Sequence, residues 1–234
     1  MALPASACFV VVGAGGLGCP ALLALSAAEA SRVLVLDHDR VESHNLQRQV
    51  LYDIGDVGAP KVEAAKRRLP ALDIEAQQRK ITADEVDDFV AELPEGAVVL
   101  ECTDAPVLKF AFNDACLRHD VPLVIGAALR WQGQALAVRR GHACYRCVYE
   151  SPPPADDVPR CDEAGVVGSG VGHVGMLMAH LALQLAAGDE SVAGQLWAID
   201  LLRARVQRIA PAVRATCPCH PGHAAAVAHA AAPN

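Results

Sequence analysis

Residues 10–18 read VVVGAGGLG, an apolar stretch that runs directly into a turn made mostly of glycine. Between a strand and a helix, such a turn lets backbone N–H groups and the helix N-terminus approach a phosphate group closely. Residues 33–39 read VLVLDHD, and Asp37 at the end of this second apolar stretch can accept hydrogen bonds from ribose hydroxyls. Together the segments predict a Rossmann-like nucleotide site, although the glycine spacing alone also occurs in ordinary strand–helix turns.

The rest of the chain extends this unit into a doubly wound sheet, because strand and helix patterns alternate through the first half. Further strands are predicted at residues 97–102 and 121–125, and helices at 17–30, 60–69, 84–93 and 106–119. After residue 127 the pattern changes to antiparallel strands around a turn near 131–134, with more strands at 195–200 and 203–209. The predicted fold class is α/β, with a Rossmann-like, mixed but mostly parallel sheet, helices on both faces and a C-terminal antiparallel extension. Right-handed crossovers bring the strand ends at residues 12, 37 and 102 to one edge of this sheet.

Composition and charge restrict the function classes. The chain has 234 residues and 53% hydrophobic content, which predicts a single domain over residues 1–223 and a frayed alanine-rich tail at 224–234. The formal net charge of −7 argues against a nucleic-acid partner, since such binding depends largely on Lys and Arg. Residues 1–19 lack the basic start, apolar core and cleavage site of a signal peptide, so we predict a cytoplasmic location.

One long segment raises the question of a membrane. Residues 164–188 contain no Asp, Glu, Lys or Arg and are long enough to span a bilayer. The glycines of this segment, together with His173, His180 and Gln184, favour a helix buried in the protein or at an oligomer interface. We therefore expect no membrane association.

Several motifs together resemble those of one known family. They are residues 13–19, Asp37, Asp39, residues 41–42, residues 45–49, Lys61, residues 102–104 and the pair Cys144 and Cys147. This set is similar to that of the MoeB/ThiF (HesA) adenylyltransferases, relatives of the ubiquitin-activating enzymes. The resemblance extends from about residue 8 to about residue 222. The Asn and Arg residues after the acidic strand end matter most, because a dinucleotide dehydrogenase has no general need for a cation there.

The resemblance implies a role for each polar residue near the predicted strand ends. It puts Gly13, Gly15 and Gly16 against the nucleotide, Asp37 on the ribose, Asn45 and Arg48 on the phosphates, Lys61 at the β- and γ-phosphates and Asp104 on Mg²⁺, with Arg48, Lys61 and Asp104 as catalytic residues. The strand order supports this independently, because these side chains follow three strand ends that should share one crevice. The alternatives stay open: both aspartates could merely cap the segments that follow them, and both cations could be solvated surface charges.

The reaction that the resemblance implies is the activation of a carboxylate. A carboxylate is a poor electrophile, and transfer to the α-phosphate of ATP turns its oxygen into a leaving group. In this family the substrate is the C-terminal glycine of a small ubiquitin-fold sulfur-carrier protein that ends in Gly-Gly, and a sulfur donor then forms a thiocarboxylate. The implied small molecules are ATP and Mg²⁺, and the implied assembly is a homodimer.

Close cysteine pairs indicate a structural zinc site. Cys144-x-x-Cys147 and Cys217 offer soft ligands of the kind that suit tetrahedral Zn²⁺. The family has a second C-x-x-C pair, whereas residues 217–220 of this chain read CPCH, so either Cys219 or His220 completes the set. The alternative is that these cysteines are free thiols.

One further cysteine resembles a reactive position. Cys161 lies in the proline-rich segment 151–163, which predicts an extended loop. It matches a loop cysteine that some relatives use to accept the acyl group or sulfur. The neighbouring acids Asp162 and Glu163 oppose thiolate formation, so a covalent role and a bystander role both stay open.

Two other function classes also stay open. An NAD- or FAD-dependent oxidoreductase needs only the glycine turn and Asp37, but it leaves Asn45, Arg48 and Lys61 unexplained. A catalytically degenerate binding subunit of an activating complex would lack part of the nucleotide site. The presence of Asp37, Arg48, Lys61 and Asp104 argues against that class.

Overall fold

The continuous apolar stretches of the sequence form the centre of an eight-stranded sheet. The computed structural model describes residues 3–154 and 165–220. Its strands are β1 (Cys8–Val12), β2 (Arg32–Leu36), β3 (Asp73–Gln77), β4 (Ala97–Glu101), β5 (Leu123–Leu129), β6 (Gln132–Val138), β7 (Leu196–Asp200) and β8 (Arg205–Ile209). They lie in the order β3-β2-β1-β4-β5-β6-β7-β8. The first five in that order are parallel and the last three are joined antiparallel, which confirms the predicted mixed sheet.

Helices cover both faces of this sheet, as an α/β protein requires. They are α1 (Gly18–Ala27), α2 (Lys61–Arg68), α3 (Val86–Ala91), α4 (Pro106–Arg118), α5 (Tyr145–Val148) and α6 (Gly168–Ala186). Alternate residues of β1 serve the two faces: Phe9 and Val11 pack with α1, α2 and α6, whereas Val10 and Val12 pack with α3 and α4. The edge strand β8 differs from these central strands, because all five of its residues are exposed.

The segment without Asp, Glu, Lys or Arg contains α6, which buries one face in the protein and leaves Met176 on the other face exposed. This helix crosses α1 so closely that a Cβ atom at Gly175 would lie 2.3 Å from the Leu17 carbonyl oxygen and 2.5 Å from Pro20 Cγ. Val174 and Met178 of α6 are completely buried in the core on the same face of the sheet. Within residues 3–154 and 165–220, no helix is both long enough and apolar enough to cross a membrane.

Two predicted boundaries are wrong, each next to a residue in the left-handed backbone region. The helix predicted over residues 17–30 ends with α1, because Glu29 has a φ of 55° and turns the chain toward β2. The strand predicted over residues 203–209 begins only with β8, because Ala204 has a φ of 49°. Neither residue is a glycine, so the sequence carries no signal for these turns.

The antiparallel part holds two more differences. The turn predicted near residues 131–134 is shorter and consists of Arg130, which has a φ of 54°, and Trp131, because the residues from Gln132 onward already pair with β5 and β7. The sequence pattern does not predict α5, because four residues are too few to show a helical period. The predicted loop at 151–163 lies largely outside the described residues, and the predicted tail at 224–234 lies entirely outside them. The single-domain assignment stays a prediction.

Candidate functional site

The carboxyl ends of β1, β2 and β4 open into one cleft, as expected where parallel strands diverge in a doubly wound sheet. The cleft has a volume of about 1390 Å³. It is lined by all eight residues for which the sequence predicts nucleotide or magnesium contacts: Gly13, Gly15, Gly16, Asp37, Asn45, Arg48, Lys61 and Asp104. The structure therefore brings these residues together, while their individual roles stay predictions.

The glycine turn between β1 and α1 is packed tightly on both sides. Gly13 has a φ of 95°, and a Cβ atom there would lie 3.2 Å from the Cys102 carbonyl oxygen. A Cβ atom at Gly18 would lie only 2.0 Å from the Gly13 carbonyl oxygen. Glycine is needed at both positions, so the turn keeps the close backbone approach that a phosphate site of this kind requires.

Asp37 is buried beside this turn and accepts hydrogen bonds from the backbone. Its Oδ2 accepts from the Ala14 N–H at 2.7 Å, and its Oδ1 accepts from the Asp39 N–H at 2.8 Å. A carboxylate has about four lone-pair positions, so about two are left for hydroxyl donors. The capping role of Asp37 and its predicted ribose role are therefore compatible.

Lys61 is a buried cation of the cleft. The residue is 4% exposed, and its Nζ donates to Asp39 Oδ2 at 2.8 Å. Partial burial raises the pKa of Asp39, but the hydrogen bond and the charge of Lys61 outweigh this effect and hold that pKa below its usual range. Lys61 is therefore not a solvated surface charge, because its ammonium group is oriented by a carboxylate.

The segment after β2 presents polar side chains that have no partner in the described part of the chain. Asn45 is buried and Arg48 is half-buried, and neither side chain makes a hydrogen bond or ion pair with any residue in the described ranges 3–154 and 165–220. Gln49 Oε1 is likewise buried without a partner there. Buried polar groups are normally hydrogen-bonded, so these groups indicate a surface that receives a polar ligand.

The cysteine pairs meet where α5 approaches the C-terminal segment. The Cys144 Sγ atom lies 3.8 Å from that of Cys147 and 3.6 Å from that of Cys217. A tetrahedral site with Zn–S bonds of about 2.3 Å puts its sulfurs roughly 3.8 Å apart. The ligand atoms of these three cysteines and of His220 all lie within 4.8 Å of one another. His220 Nε2 is buried and has no hydrogen-bond partner in the described part of the chain, so this donor set fits zinc.

Cys219 lies beside this cluster but makes different contacts. Its Sγ donates to Asp114 Oδ1 at 3.2 Å, and Asp114 accepts two hydrogen bonds from Arg146, each at 2.7 Å. The Cys219 sulfur is not among the four ligand atoms that lie within 4.8 Å of one another. Of the two candidates for the fourth ligand, the geometry therefore favours His220, with Cys219 among the surrounding hydrogen bonds.

Comparison with known proteins agrees with the fold. A family model described as "ThiF family" matches residues 3–219 of the chain. The chain belongs to the ThiF family.

ThiF-family relatives are similar over most of this chain. The chain is 39% identical over 197 residues to "Adenylyltransferase and sulfurtransferase MOCS3" of Anopheles gambiae, a match that covers 82% of this chain and 44% of that protein. It is also 39% identical over 220 residues to "Sulfur carrier protein adenylyltransferase" of Thermus thermophilus, a match that covers 89% of this chain and 80% of that protein. The chain thus spans less than half of the MOCS3 relative and most of the bacterial one.

Solved structures share the ThiF-family fold at low sequence identity. The crystal structure of E. coli MccB with ATP superposes with a TM-score of 0.77 at 18% identity, covering 91% of this chain and 66% of that one. The structure of PaaA superposes with a TM-score of 0.69 at 16% identity, covering 88% of this chain and 64% of that one. At such identities the likeness establishes the fold alone.

Sequence reasoning assigned no role to two residues of this ThiF-family cleft. Asp39 orients Lys61, and Gln49 lines the cleft with its unpartnered oxygen. Both lie inside the motif segment 37–49, which is the signal that could have found them. Cys161, the predicted loop nucleophile, lies outside the described residues, so its role stays a prediction.

Proposed function

We propose that this protein adenylates the C-terminal glycine of a small ubiquitin-fold sulfur-carrier protein that ends in Gly-Gly, using ATP and Mg²⁺. A sulfur donor at the oxidation level of sulfide then attacks the acyl carbon and displaces AMP, which leaves the thiocarboxylate. The observation that carries the proposal is the convergence of Asp37, Arg48, Lys61 and Asp104 on one cleft beside the glycine turn. Membership of the ThiF family and the 39% identity to a sulfur carrier protein adenylyltransferase support it.

The shape of the cleft supports a narrow peptide as the second substrate. Beyond the nucleotide end, the cleft continues along β5, β6 and β7, where it is lined by the small residues Ala127, Gly133 and Ala198. Such a lining suits a glycine-rich tail, because glycine backbone can approach a surface closely. Tyr149 and Gln134 line the same part of the cleft, with the Tyr149 hydroxyl donating to Gln134 Oε1 at 2.5 Å.

In the proposed reaction, a carboxylate oxygen of the carrier attacks the α-phosphorus of ATP, and the bond between that phosphorus and pyrophosphate breaks. The products are the acyl-adenylate and pyrophosphate. Because both reactants are anions, cations have to offset their repulsion. Arg48 has no partner in the described part of the chain and can bind phosphate oxygens, and Lys61 supplies a second cation that Asp39 orients.

Asp104 suits a magnesium ion that accompanies the triphosphate. Its carboxylate is exposed at the cleft just after β4 and makes no ion pair within the described ranges 3–154 and 165–220. Mg²⁺ in nucleotide sites is held by one or two carboxylates together with phosphate oxygens. When bound, it neutralises part of the phosphate charge. Asp37 and Asn45 then fix the ribose and phosphates relative to the attacking carboxylate.

We also propose that Zn²⁺ binds Cys144, Cys147, Cys217 and His220. The sulfur distances and the unpartnered His220 Nε2 support this set. A site with four protein ligands leaves no position for substrate, so its role is structural. It would join Cys144, which directly precedes α5, to Cys217, 73 positions further along the chain.

We propose that residues 1–223 form one adenylation domain, that the protein is cytoplasmic and that two copies pair as a homodimer. Support for pairing comes from three exposed apolar side chains in the segment that joins β2 to α2. Val50, Ile54 and Val57 are 55%, 75% and 44% exposed. Exposed apolar patches often mark protein interfaces.

Carrier-dependent ATP–pyrophosphate exchange tests the proposed activity. We expect exchange with a sulfur-carrier protein that has an intact Gly-Gly terminus, and none with the same carrier lacking its last glycine. MgATP binding without exchange for any carrier would instead favour a degenerate binding subunit. Tight NAD binding without MgATP binding, measured by calorimetry, would favour an oxidoreductase.

A further inference from the structure

A buried ion pair that the proposed reaction does not use lies behind the turn that carries Asp104. Glu101 ends β4 and is completely buried, and Lys109 on α4 is 4% exposed. The Lys109 Nζ lies 2.5 Å from Glu101 Oε2. A buried pair of charges is costly unless its geometry is good and its other hydrogen bonds are made. Because this ion pair lies at the edge of the cleft, Glu101 and Lys109 are candidates for a role in the site.

The ammonium group of Lys109 is fully engaged by the protein. In addition to Glu101, it donates to the Thr103 carbonyl oxygen at 2.7 Å and to the Gly126 carbonyl oxygen at 2.8 Å. An ammonium group has three N–H donors, so none is left for a ligand even though Lys109 lines the cleft. Lys109 therefore links the turn after β4, through the Thr103 carbonyl, to β5, through the Gly126 carbonyl.

Glu101 holds the same turn from its other side. Its Oε1 accepts hydrogen bonds from the Thr103 N–H, at 3.1 Å, and from the Thr103 hydroxyl. The Thr103 Oγ1 atom in turn accepts from the Ala105 N–H at 3.3 Å. The backbone on both sides of Asp104 is thus fixed by one chain of hydrogen bonds that begins at Lys109.

The side chain of Asp104 is not held by any polar side-chain contact of its own among the described residues. Its side chain is exposed and makes no hydrogen bond or ion pair with the residues that the structure describes, 3–154 and 165–220. Its carboxylate is therefore positioned only by the backbone of the turn. Loss of the hydrogen bonds that orient a metal ligand typically costs about 10- to 100-fold in metal affinity or activity.

We propose that Glu101 and Lys109 are a positioning pair that sets where Asp104 presents its carboxylate to the metal ion and the nucleotide. The inference rests on the proposed function, because it takes Asp104 as the metal ligand. Neither member of the pair has a free group for the nucleotide. Loss of the pair should therefore weaken metal-dependent ATP binding and leave metal-free ATP binding unchanged.

Binding of Mn²⁺ and ATP to the purified full chain, measured by electron paramagnetic resonance, tests this without any carrier protein. In Lys109→Met, we expect the Mn²⁺–ATP affinity to fall about 10- to 100-fold. ATP affinity in EDTA, measured by calorimetry, should not change. Lys109→Arg keeps the charge and several donors, so it should recover part of the loss.

A milder variant keeps the inference testable if Lys109→Met fails to fold. Thr103→Val removes one hydroxyl and keeps the side-chain shape, and it should lower the Mn²⁺–ATP affinity by about 2- to 10-fold. Asp56→Asn is the matched control. Asp56 is 5% exposed and paired with Arg67 and Arg68, but it is not among the residues that line the cleft. It should lower the melting temperature and leave Mn²⁺–ATP affinity unchanged.

The binding results distinguish a positioning role of Glu101 and Lys109 from a purely structural one. Unchanged Mn²⁺–ATP affinity in both Lys109→Met and Thr103→Val would overturn the inference and leave the pair with a purely structural role. An equal loss of affinity in Asp56→Asn would overturn it as well, because the effect would then follow general destabilisation. Absence of carrier-dependent exchange in the unaltered protein would contradict the proposed function but not this binding result, so the two failures are distinguishable.

Discussion

The nucleotide cleft and the cysteine cluster are positioned in opposite ways. The side chains of the cleft follow β1, β2 and β4, and the parallel pairing of these strands already fixes where they lie. The ligands of the cluster come from residues 144–147 and residues 217–220, and neither of these two segments belongs to a strand of the described sheet. The cleft should therefore exist without its ligand, whereas the cluster should depend on a metal ion for its order.

The two sites also differ in how their polar groups are satisfied. Around the cleft, the buried charged groups Asp37 and Lys61 already have protein partners, and the charged groups without one among the described residues, Arg48 and Asp104, are partly or fully exposed to solvent. In the cluster, the Cys144 sulfur faces other sulfurs and His220 Nε2 has no partner among the described residues. Metal binding to such a group contributes directly to folding free energy. We therefore expect loss of an exposed side chain of the cleft, such as that of Asp104, to reduce activity without loss of stability, and loss of a ligand of the cluster to do the reverse.

Asp104→Ala should give the largest effect and tests the cleft side of this comparison. Carrier-dependent exchange should fall by about 1,000-fold or more, because the variant loses a metal ligand that the reaction needs. The melting temperature should stay the same, because the Asp104 side chain is exposed and unpaired in the described residues. Asp88→Ala removes another exposed aspartate, on α3, and is the matched control. Exchange that survives in Asp104→Ala would remove Asp104 from the site.

His220→Ala and Cys219→Ala test the cluster side. Elemental analysis should find about one zinc per chain in the unaltered protein and in Cys219→Ala, but much less in His220→Ala. The melting temperature of His220→Ala should fall by roughly 5 °C or more, while MgATP affinity should not change. In the cobalt-substituted protein, the sulfur-to-metal absorption of Cys219→Ala should keep its intensity. The reverse pattern, with zinc lost only in Cys219→Ala, would make Cys219 the fourth ligand.

Gly18→Ala should sharpen the comparison, because it changes the cleft through its backbone. The added Cβ atom would lie 2.0 Å from the Gly13 carbonyl oxygen, so the glycine turn has to move. We expect a loss of about 1–3 kcal/mol in unfolding free energy, measured by urea denaturation, together with weaker ATP binding. The control is Gly172→Ala in α6, where the added atom would meet nothing within 4 Å, and which should be neutral or stabilising by about 0.4–1 kcal/mol. Equal effects in the two variants would mean that the turn is not tightly packed.

Glu85→Gln should give the smallest effect. Glu85 lies outside both the cleft and the cluster, so this variant shows how much one ordinary carboxyl group contributes to the pH dependence of the unfolding free energy. The side-chain hydrogen bond with Thr82 is the main cause that lowers the pKa of Glu85. A carboxyl group with a lowered pKa stabilises the fold above its unfolded value of about 4.3, and this contribution is lost as the pH falls through the folded value. The variant should therefore be less stable than the unaltered protein at pH 7 and no less stable at pH 3, measured by urea denaturation. If the variant and the unaltered protein differ in unfolding free energy by the same amount at both pH values, the lowered pKa of Glu85 would be contradicted.

The parts of the fold that were predictable are those in which local sequence and tertiary environment agree. Strands β1, β2 and β4 end within one residue of the predicted strand ends at 12, 37 and 102, because each is a continuous apolar run. The residues of the cleft could be grouped from sequence because they follow these strand ends. In contrast, the turns at Glu29 and Ala204 have residues other than glycine in the left-handed region. Neither residue type favours that region, so the sequence does not predict these turns.

Pairings between distant polar residues were not predictable. Asp39 and Lys61 lie 22 positions apart, and nothing in their spacing says that the lysine turns inward to meet that aspartate. Lys109 is a charged residue in a helix and resembles a surface position, and its burial follows from how α4 packs on β4 and β5. Whether Cys219 or His220 is the fourth zinc ligand also could not be predicted. The spacings from Cys217 to Cys219 and from Cys217 to His220 both suit a metal, so the path of the chain after Cys217 decides between them.

The exposed edge strand β8 also has a consequence for how the protein behaves at high concentration. An open edge presents unpaired N–H and C=O groups on which another chain can add a strand, a common route to fibrils. Arg205 and Arg208 put two positive charges on this strand. Two such edges repel each other on approach, so the sheet can remain open at this side without promoting aggregation.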